Sequence, residues 1–207
     1  LQKTLMSAMG VSVLFVGVSG ALSQMLRAEG GALTVQGTMM MILSLAVGAV
    51  LGELLDLEDR MERFGAWLKV KTKSESDGGF IGAFVTASLT VCIGAMAIVG
   101  SIQDGILGDH ATLFAKAVLD LVIIMVMTAS MGKGCIFSAI PVGILQGSVT
   151  LLARLLQPVF TDAALSNLSL VGSVLVFCVG LNLVWGKKIR VANLLPSLIV
   201  SVVWAFL

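Results

Sequence analysis

The sequence predicts an all-α fold, a polytopic bundle of transmembrane helices with seven spans in this chain. Three observations carry the prediction. Hydrophobic residues fill 57% of the 207 positions and charged residues only 12%, against roughly 25% charged in a soluble domain. The charges are gathered into short stretches, and the uncharged runs between them have the length of helix, roughly 20 residues, that crosses a hydrocarbon core. Those runs are continuously apolar instead of alternating, which excludes β-barrel strands.

Taken in order, 23 uncharged residues separate Lys3 from Arg27 and another 23 separate Glu29 from Glu53. Asp77 to Asp104 brackets 26, Lys133 to Arg154 brackets 20, Asp162 to Lys187 brackets 24, and 17 follow Arg190. Spans are expected at about 5–22, 38–55, 80–100, 134–153, 167–186 and 191–207, where each run is long enough to cross. The stretch 113–132 makes the seventh despite Lys116 and Asp120. Residues 1–207 form one transmembrane domain with an insertion at about 53–79. In it, Leu54, Leu57, Met61, Phe64 and Leu68 recur at helical spacing, with Asp56–Arg60 and Asp59–Arg63 as i,i+4 pairs on the wet face. This segment is either a cytoplasmic helix lying at the lipid interface, with Trp67 near the headgroups, or a solvated extension of the second span. KSESDGG after it reads as a linker.

Seven spans segregate the basic residues. One side collects Lys3, Arg60, Arg63, Lys69, Lys71, Lys73, Lys133, Lys187, Lys188 and Arg190, ten of the thirteen. The positive-inside rule makes that side cytoplasmic, with Leu1 inside and Leu207 outside. A net charge of +1 and the lack of a basic-aromatic patch give no reason to expect nucleic acid. Cys92, Cys135 and Cys178 lie in apolar runs without metal-ligand or disulfide spacing, so neither a metal nor a cofactor is expected. No nucleophile–base pair or nucleotide-binding motif is present, and the chain is not expected to be an enzyme.

Two short stretches recur. VGVS (Val16–Ser19) resembles VGLN (Val179–Asn182), and MILSLAVGAV (Met41–Val50) resembles LLPSLIVSVV (Leu194–Val203). The paired spans run in opposite senses, so the repeat is inverted, a construction common in secondary transporters. Gly48 and Gly52 form a small-xxx-small stripe that serves either packing within the chain or a homo-oligomer.

Buried chemistry concentrates between Thr86 and Asp120. Lys116 and Asp120 stand four apart on one helical face, where each charge costs roughly 2.5–3.5 kcal/mol at the bilayer centre. They form either a structural ion pair or a substrate- or proton-binding site. Gln103, Asp104 and Asp109 lie in a glycine-punctuated turn with the lone His110 and would shape an outer mouth. Gln146 and Asn182 would supply neutral hydrogen bonds at depth. A helix break between Gly94 and Gly100 would expose backbone groups. Pro141 would free a carbonyl within the fifth span.

The strings GELLDLEDRMERFG, TASLTVCIGAMAIVGSIQDGILGDHATLFAKAVLD, FSAIPVGILQGSVTLLA and VGLNLVWGKKIRVANLLPSL resemble the YdfK-like bacterial membrane proteins, domain-of-unknown-function family 554, over essentially the whole chain. The resemblance implies a bacterial inner-membrane protein of transport type with no settled substrate. It also implies a further hydrophobic segment ahead of Leu1, making eight spans in the full protein. Together these readings lead to a transporter of a small solute or ion, coupled through the Asp120–Lys116 pair. The alternatives are an ion channel or a non-transporting structural subunit.

Overall fold

A computed structural model describes residues 2–29, 32–73, 78–92, 95–156, 158–159 and 161–207. Helix dominates. α1 (Gln2–Met25) leads into a hairpin, β1 (Leu26–Glu29) and β2 (Ala32–Val35), followed by α2 (Thr38–Leu55) and α3 (Leu57–Lys71). Then come α4 (Phe80–Cys92), α5 (Ala95–Leu107) and α6 (Ala111–Met131). A 3₁₀ turn (Lys133–Ser138) opens α7 (Ala139–Leu151), and α8 (Ala153–Leu156) and α9 (Asp162–Trp185) follow. A second 3₁₀ turn (Val191–Leu194) precedes α10 (Pro196–Trp204). Among the described residues, four segments are long and apolar enough to cross a membrane: Thr38–Leu55, Ala111–Met131, Lys133–Leu151 and Asp162–Trp185. Gly10–Met25, Phe80–Cys92 and Val191–Trp204 are shorter apolar helices.

The structure corrects several expected boundaries. The third span is not one helix ending near Gly100. α4 stops at Cys92 and α5 runs from Ala95 to Leu107, while residues 93–94 lie outside the described residues. Gln103 and Asp104 therefore sit on α5, and only Gly108 to His110 turn the chain. The segment 53–73 is also split. Glu53 belongs to α2, and Asp56 alone, with left-handed backbone at φ 48°, turns the chain into α3. Asp tolerates that region better than most residues. The hairpin replaces an expected loop, pairing Leu26 with Val35 and Glu29 with Ala32. Gly30–Gly31 is the sequence signal for it, though those two residues lie outside the description. Pro141 falls in the first turn of α7, where a missing N–H costs no intrahelical bond.

The core is centred on α4 and α9. Phe80, Phe84, Leu175 and Val179 are buried between them, joined by Leu68 of α3 and Val191. Phe64 of α3 packs edge-on against Phe84 at 5.8 Å. α1 lies antiparallel along α9, and α2 antiparallel along α10. Both contacts depend on small residues. A Cβ on Gly17 would lie 2.5 Å from the Phe177 nitrogen, and one on Gly180 would lie 2.7 Å from the Leu14 nitrogen. Gly48 meets Ser197 and Gly52 meets the Asn193 carbonyl, so the GAVLG stripe is used within the chain.

A methyl group on Gly52 would overlap the Asn193 carbonyl oxygen. Gly52→Ala should therefore lower stability by about 1–3 kcal/mol, the usual cost of overpacking. Gly147→Ala, whose Cβ meets nothing within 4 Å, should be neutral or slightly stabilising. Melting temperatures in detergent compare the two, and equal effects would contradict the packing described.

Candidate functional site

The central acid–base pair sits on α6. Lys116 and Asp120 are one turn apart, and the Lys116 ammonium is bonded to Asp120 Oδ2. Its side chain is 8% exposed and that of Asp120 21%. Lys116 Nζ also donates to the Val91 carbonyl at 2.9 Å. Val91 is in the last turn of α4, where carbonyls lack intrahelical partners and where a cation suits the helix dipole. Asp120 faces a cleft of about 280 Å³ shared with Gln146, Ser138, Val142 and Ile124. The structure thus brings Asp120, Lys116 and Gln146 to one region. The walls of that cleft are mostly apolar, with three polar side chains among them, Asp120, Gln146 and Ser138.

The expected outer-mouth residues serve the α5–α6 corner. Gln103 Oε1 accepts from Thr112 Oγ1 at 2.7 Å. Asp104 pairs with His110. Asp109 Oδ1 accepts the Ala111 N–H at 3.0 Å, satisfying a donor at the start of α6. These three contacts tie the end of α5 to the beginning of α6.

Asn182 is placed elsewhere. Its Nδ2 donates to the Ile189 carbonyl at 2.7 Å, and its Oδ1 accepts from the N–H groups of Lys188 and Ile189, each at 2.9 Å. It pins the loop after α9 and lines a second cleft, of about 260 Å³, with Glu58, Glu62, Thr86 and Lys187.

That second cleft holds groups the sequence reading did not single out. Glu58 is 3% exposed. Its Oε1 lies 2.8 Å from Lys187 Nζ and its Oε2 accepts the Ala192 N–H at 2.9 Å. Its own N–H donates to Asn193 Oδ1 at 2.7 Å. Asn193 Oδ1 accepting the Glu58 N–H, and Glu58 Oε2 accepting the Ala192 N–H, together hold the α2–α3 corner against the turn before α10. Lys187 pairs with Glu62 as well. Arg190 reaches Glu53 at 2.9 Å and Asp56 at 3.6 Å. Asp56 is therefore engaged across the bundle, while Asp59–Arg63 forms as expected at 2.6 Å. Glu58 stands four residues after Leu54 and three before Met61, on the apolar stripe of its helix. That spacing was the available signal. Burial works to lower the Lys187 pKa, but its hydrogen bonds and charge contacts with Glu58 and Glu62 outweigh it and hold the ammonium above the ordinary lysine value.

Comparison with known proteins identifies the class. The model of a family described as "Protein of unknown function (DUF554)" matches residues 1–206. The chain belongs to that family, and its own apolar helices are those of a membrane protein. It is 30% identical over 205 residues to the "Uncharacterized membrane protein YdfK" of Bacillus subtilis (strain 168), covering 99% of this chain and 83% of that relative. It is 28% identical over 165 residues to the "Uncharacterized protein YqgA" of Escherichia coli (strain K12), covering 78% of this chain and 70% of that relative. No solved structure matches.

Two outcomes follow from the ion pairs. Asp120→Asn removes the counter-charge of the Lys116 ammonium, and losing one charge of a buried pair costs about 3–5 kcal/mol. The double variant Lys116→Met/Asp120→Leu removes both charges and should recover most of that loss on thermal melting. For Lys187, folding raises the pKa, so the stability it contributes is complete below the unfolded value of 10.5 and is lost as pH climbs through the folded value. Above pH 10.5 the wild-type melting temperature should fall more steeply than that of Lys187→Met. Parallel curves would show that the pair adds nothing.

Proposed function

We propose that the chain is a transporter of a small solute or ion in a bacterial inner membrane, coupled through Asp120 and Lys116. The observation that carries this reading is the charged pair itself, set in a membrane-length apolar helix with its lysine on the carbonyl end of α4. Ionisable groups at that depth are expensive and mark substrate or proton pathways by default. A carboxylate bonded through one oxygen to Lys116 and open to a cleft with Gln146 is suited to exchange that partner for a proton or a cation.

Seven spans organise this reading: α1, α2, α4 with α5, α6, α7 with its 3₁₀ turn, α9, and α10 with its 3₁₀ turn. The inverted repeat draws support from packing. Val16–Ser19 and Val179–Asn182 lie on helices that pack antiparallel, with Gly17 against Phe177 and Gly180 against Leu14. The second matched pair lies on α2 and α10, also antiparallel, with Gly48 against Ser197. The α3 end carries most of the basic residues and is assigned to the cytoplasm. No catalytic step belongs to this reading.

One observation favours a second reading, a non-transporting structural subunit. Lys116 bridges α6 to α4, and the cleft beside Asp120 is mostly apolar, as an ion pair that only locks two helices would leave it. A thermal-shift screen of ions and small metabolites across several pH values decides between them. A ligand at a hundredfold excess over its Kd stabilises the folded state by about 2.7 kcal/mol. The transport reading expects a hit that Asp120→Asn abolishes and that the wild type moves across proteoliposomes. If nothing shifts the wild type and Asp120→Asn only melts early, the structural reading stands.

A further inference from the structure

The cleft beneath α3 is built unlike the one at Asp120. It runs along α4 from Gly82 to Leu89 and along α9 from Val179 to Gly186, just past the helix end, seven helical steps and so about 10 Å long. Its neck is charged and its depth apolar, walled by Val85, Leu89 and Val179. Glu58 and Glu62 face a single cation there, Lys187, which leaves one net negative charge at the neck. Lys187 enters from the loop after α9, with its side chain about half exposed. It therefore sits at the mouth and leaves the apolar depth behind the Glu58 carboxylate unfilled.

These features select a ligand class. The two carboxylates repel an anion. A hard metal ion wants six or more oxygen ligands, and among the described residues no group of three or more His, Cys, Asp or Glu side chains could hold a metal. A primary ammonium reproduces what Lys187 already presents to Glu58, and a short alkyl chain suits the apolar wall. We infer that this cleft binds a small organic cation, a primary alkylammonium of a few carbons, with Glu58 as its counter-ion and Lys187 as a tethered competitor. On binding, the ligand takes the place of Lys187 on Glu58, and Lys187 remains paired with Glu62. The inference concerns binding alone and does not rest on transport or on Asp120.

The test uses the purified full chain in uncharged detergent at pH 8, titrated with n-butylammonium chloride and followed by calorimetry and thermal shift. Sodium n-butyrate, n-butanol and potassium chloride at matched concentration are the comparisons. Butylammonium alone should bind. Lys187→Met removes the competitor and should bind on the order of tenfold tighter, as any population penalty on the competent state is lifted. Asp120→Asn should bind like the wild type, which separates this site from the pair on α6. Glu58→Gln should lose binding. Because Glu58 also clamps Ala192, a second blocking variant is Gly82→Leu, whose Cβ points into open space within 4 Å and whose side chain would occupy the cleft. It should weaken binding at least about tenfold with its melting temperature kept, since a filled cleft leaves the ligand no competent state. Equal responses to butyrate or butanol, or Lys187→Met binding no tighter than wild type, or Gly82→Leu binding unchanged, would each overturn the inference.

Discussion

A polar group carried into lipid must find its partner inside the protein, because no water is there to supply one. Much of this structure follows from that constraint. The hydroxyls of Ser12, Thr90, Ser173 and Ser201 bond back to carbonyls three or four residues earlier on their own helices. Lys116, within a membrane-length helix, is met by Asp120 and by Val91. Where α2 turns into α3, Asn193 Oδ1 accepts the Glu58 N–H and Glu58 accepts the Ala192 N–H in the turn before α10. The last two solutions fix one element against another, so satisfying polarity there also sets the architecture.

Packing supplies the second constraint. Lipid tails are as apolar as leucine, so helices in a membrane associate by close fit and not by expelling water. α1 with α9 and α2 with α10 show how this chain meets that demand. Gly17, Gly180, Gly48 and Gly52 bring backbones into contact, and the large apolar side chains of α2 and α6, such as Leu54, Val118 and Leu121, are left exposed on the outer faces. Exposure that would be a liability in water is the expected surface of a helix that borders lipid.

These two constraints explain what could be read from the sequence. The apolar helices were legible because hydropathy and charge spacing report directly on the bilayer, and Lys116–Asp120 was legible because i,i+4 spacing is local. The Glu58–Lys187 pair was not, since its partners stand 129 positions apart (187 − 58) and Glu58 is embedded in a run of charges that looks like a wet face. Asn182 was placed at depth from its position in an apolar run, but it sits near the end of α9, where a loop needed three hydrogen bonds. The hairpin was missed because four-residue strands carry too little periodicity to outweigh a loop reading, even with Gly30–Gly31 between them. The division of the third span into α4 and α5 was only partly legible. Glycines there marked a break in the right neighbourhood, yet apolar composition continues unchanged through it.

α4 links the two clefts. Leu89 lines the one beneath α3 and Val91 lines the one beside Asp120, two residues apart on the last turn of a helix that ends at Cys92. The Val91 carbonyl at that end is held by Lys116, whose other bond is to Asp120. Any event that draws Lys116 toward Asp120, or frees it from that carboxylate, changes the load on this turn. Protonation of Asp120 is such an event, because it removes the charge that competes with Val91 for the ammonium. One lysine and two bonds thus connect the Asp120 carboxylate to the turn that separates the clefts. Under the transport reading proposed above, that link is the physical content coupling would have, and it would act through α4 and α6 and not through the glycine-packed α1–α9 pair.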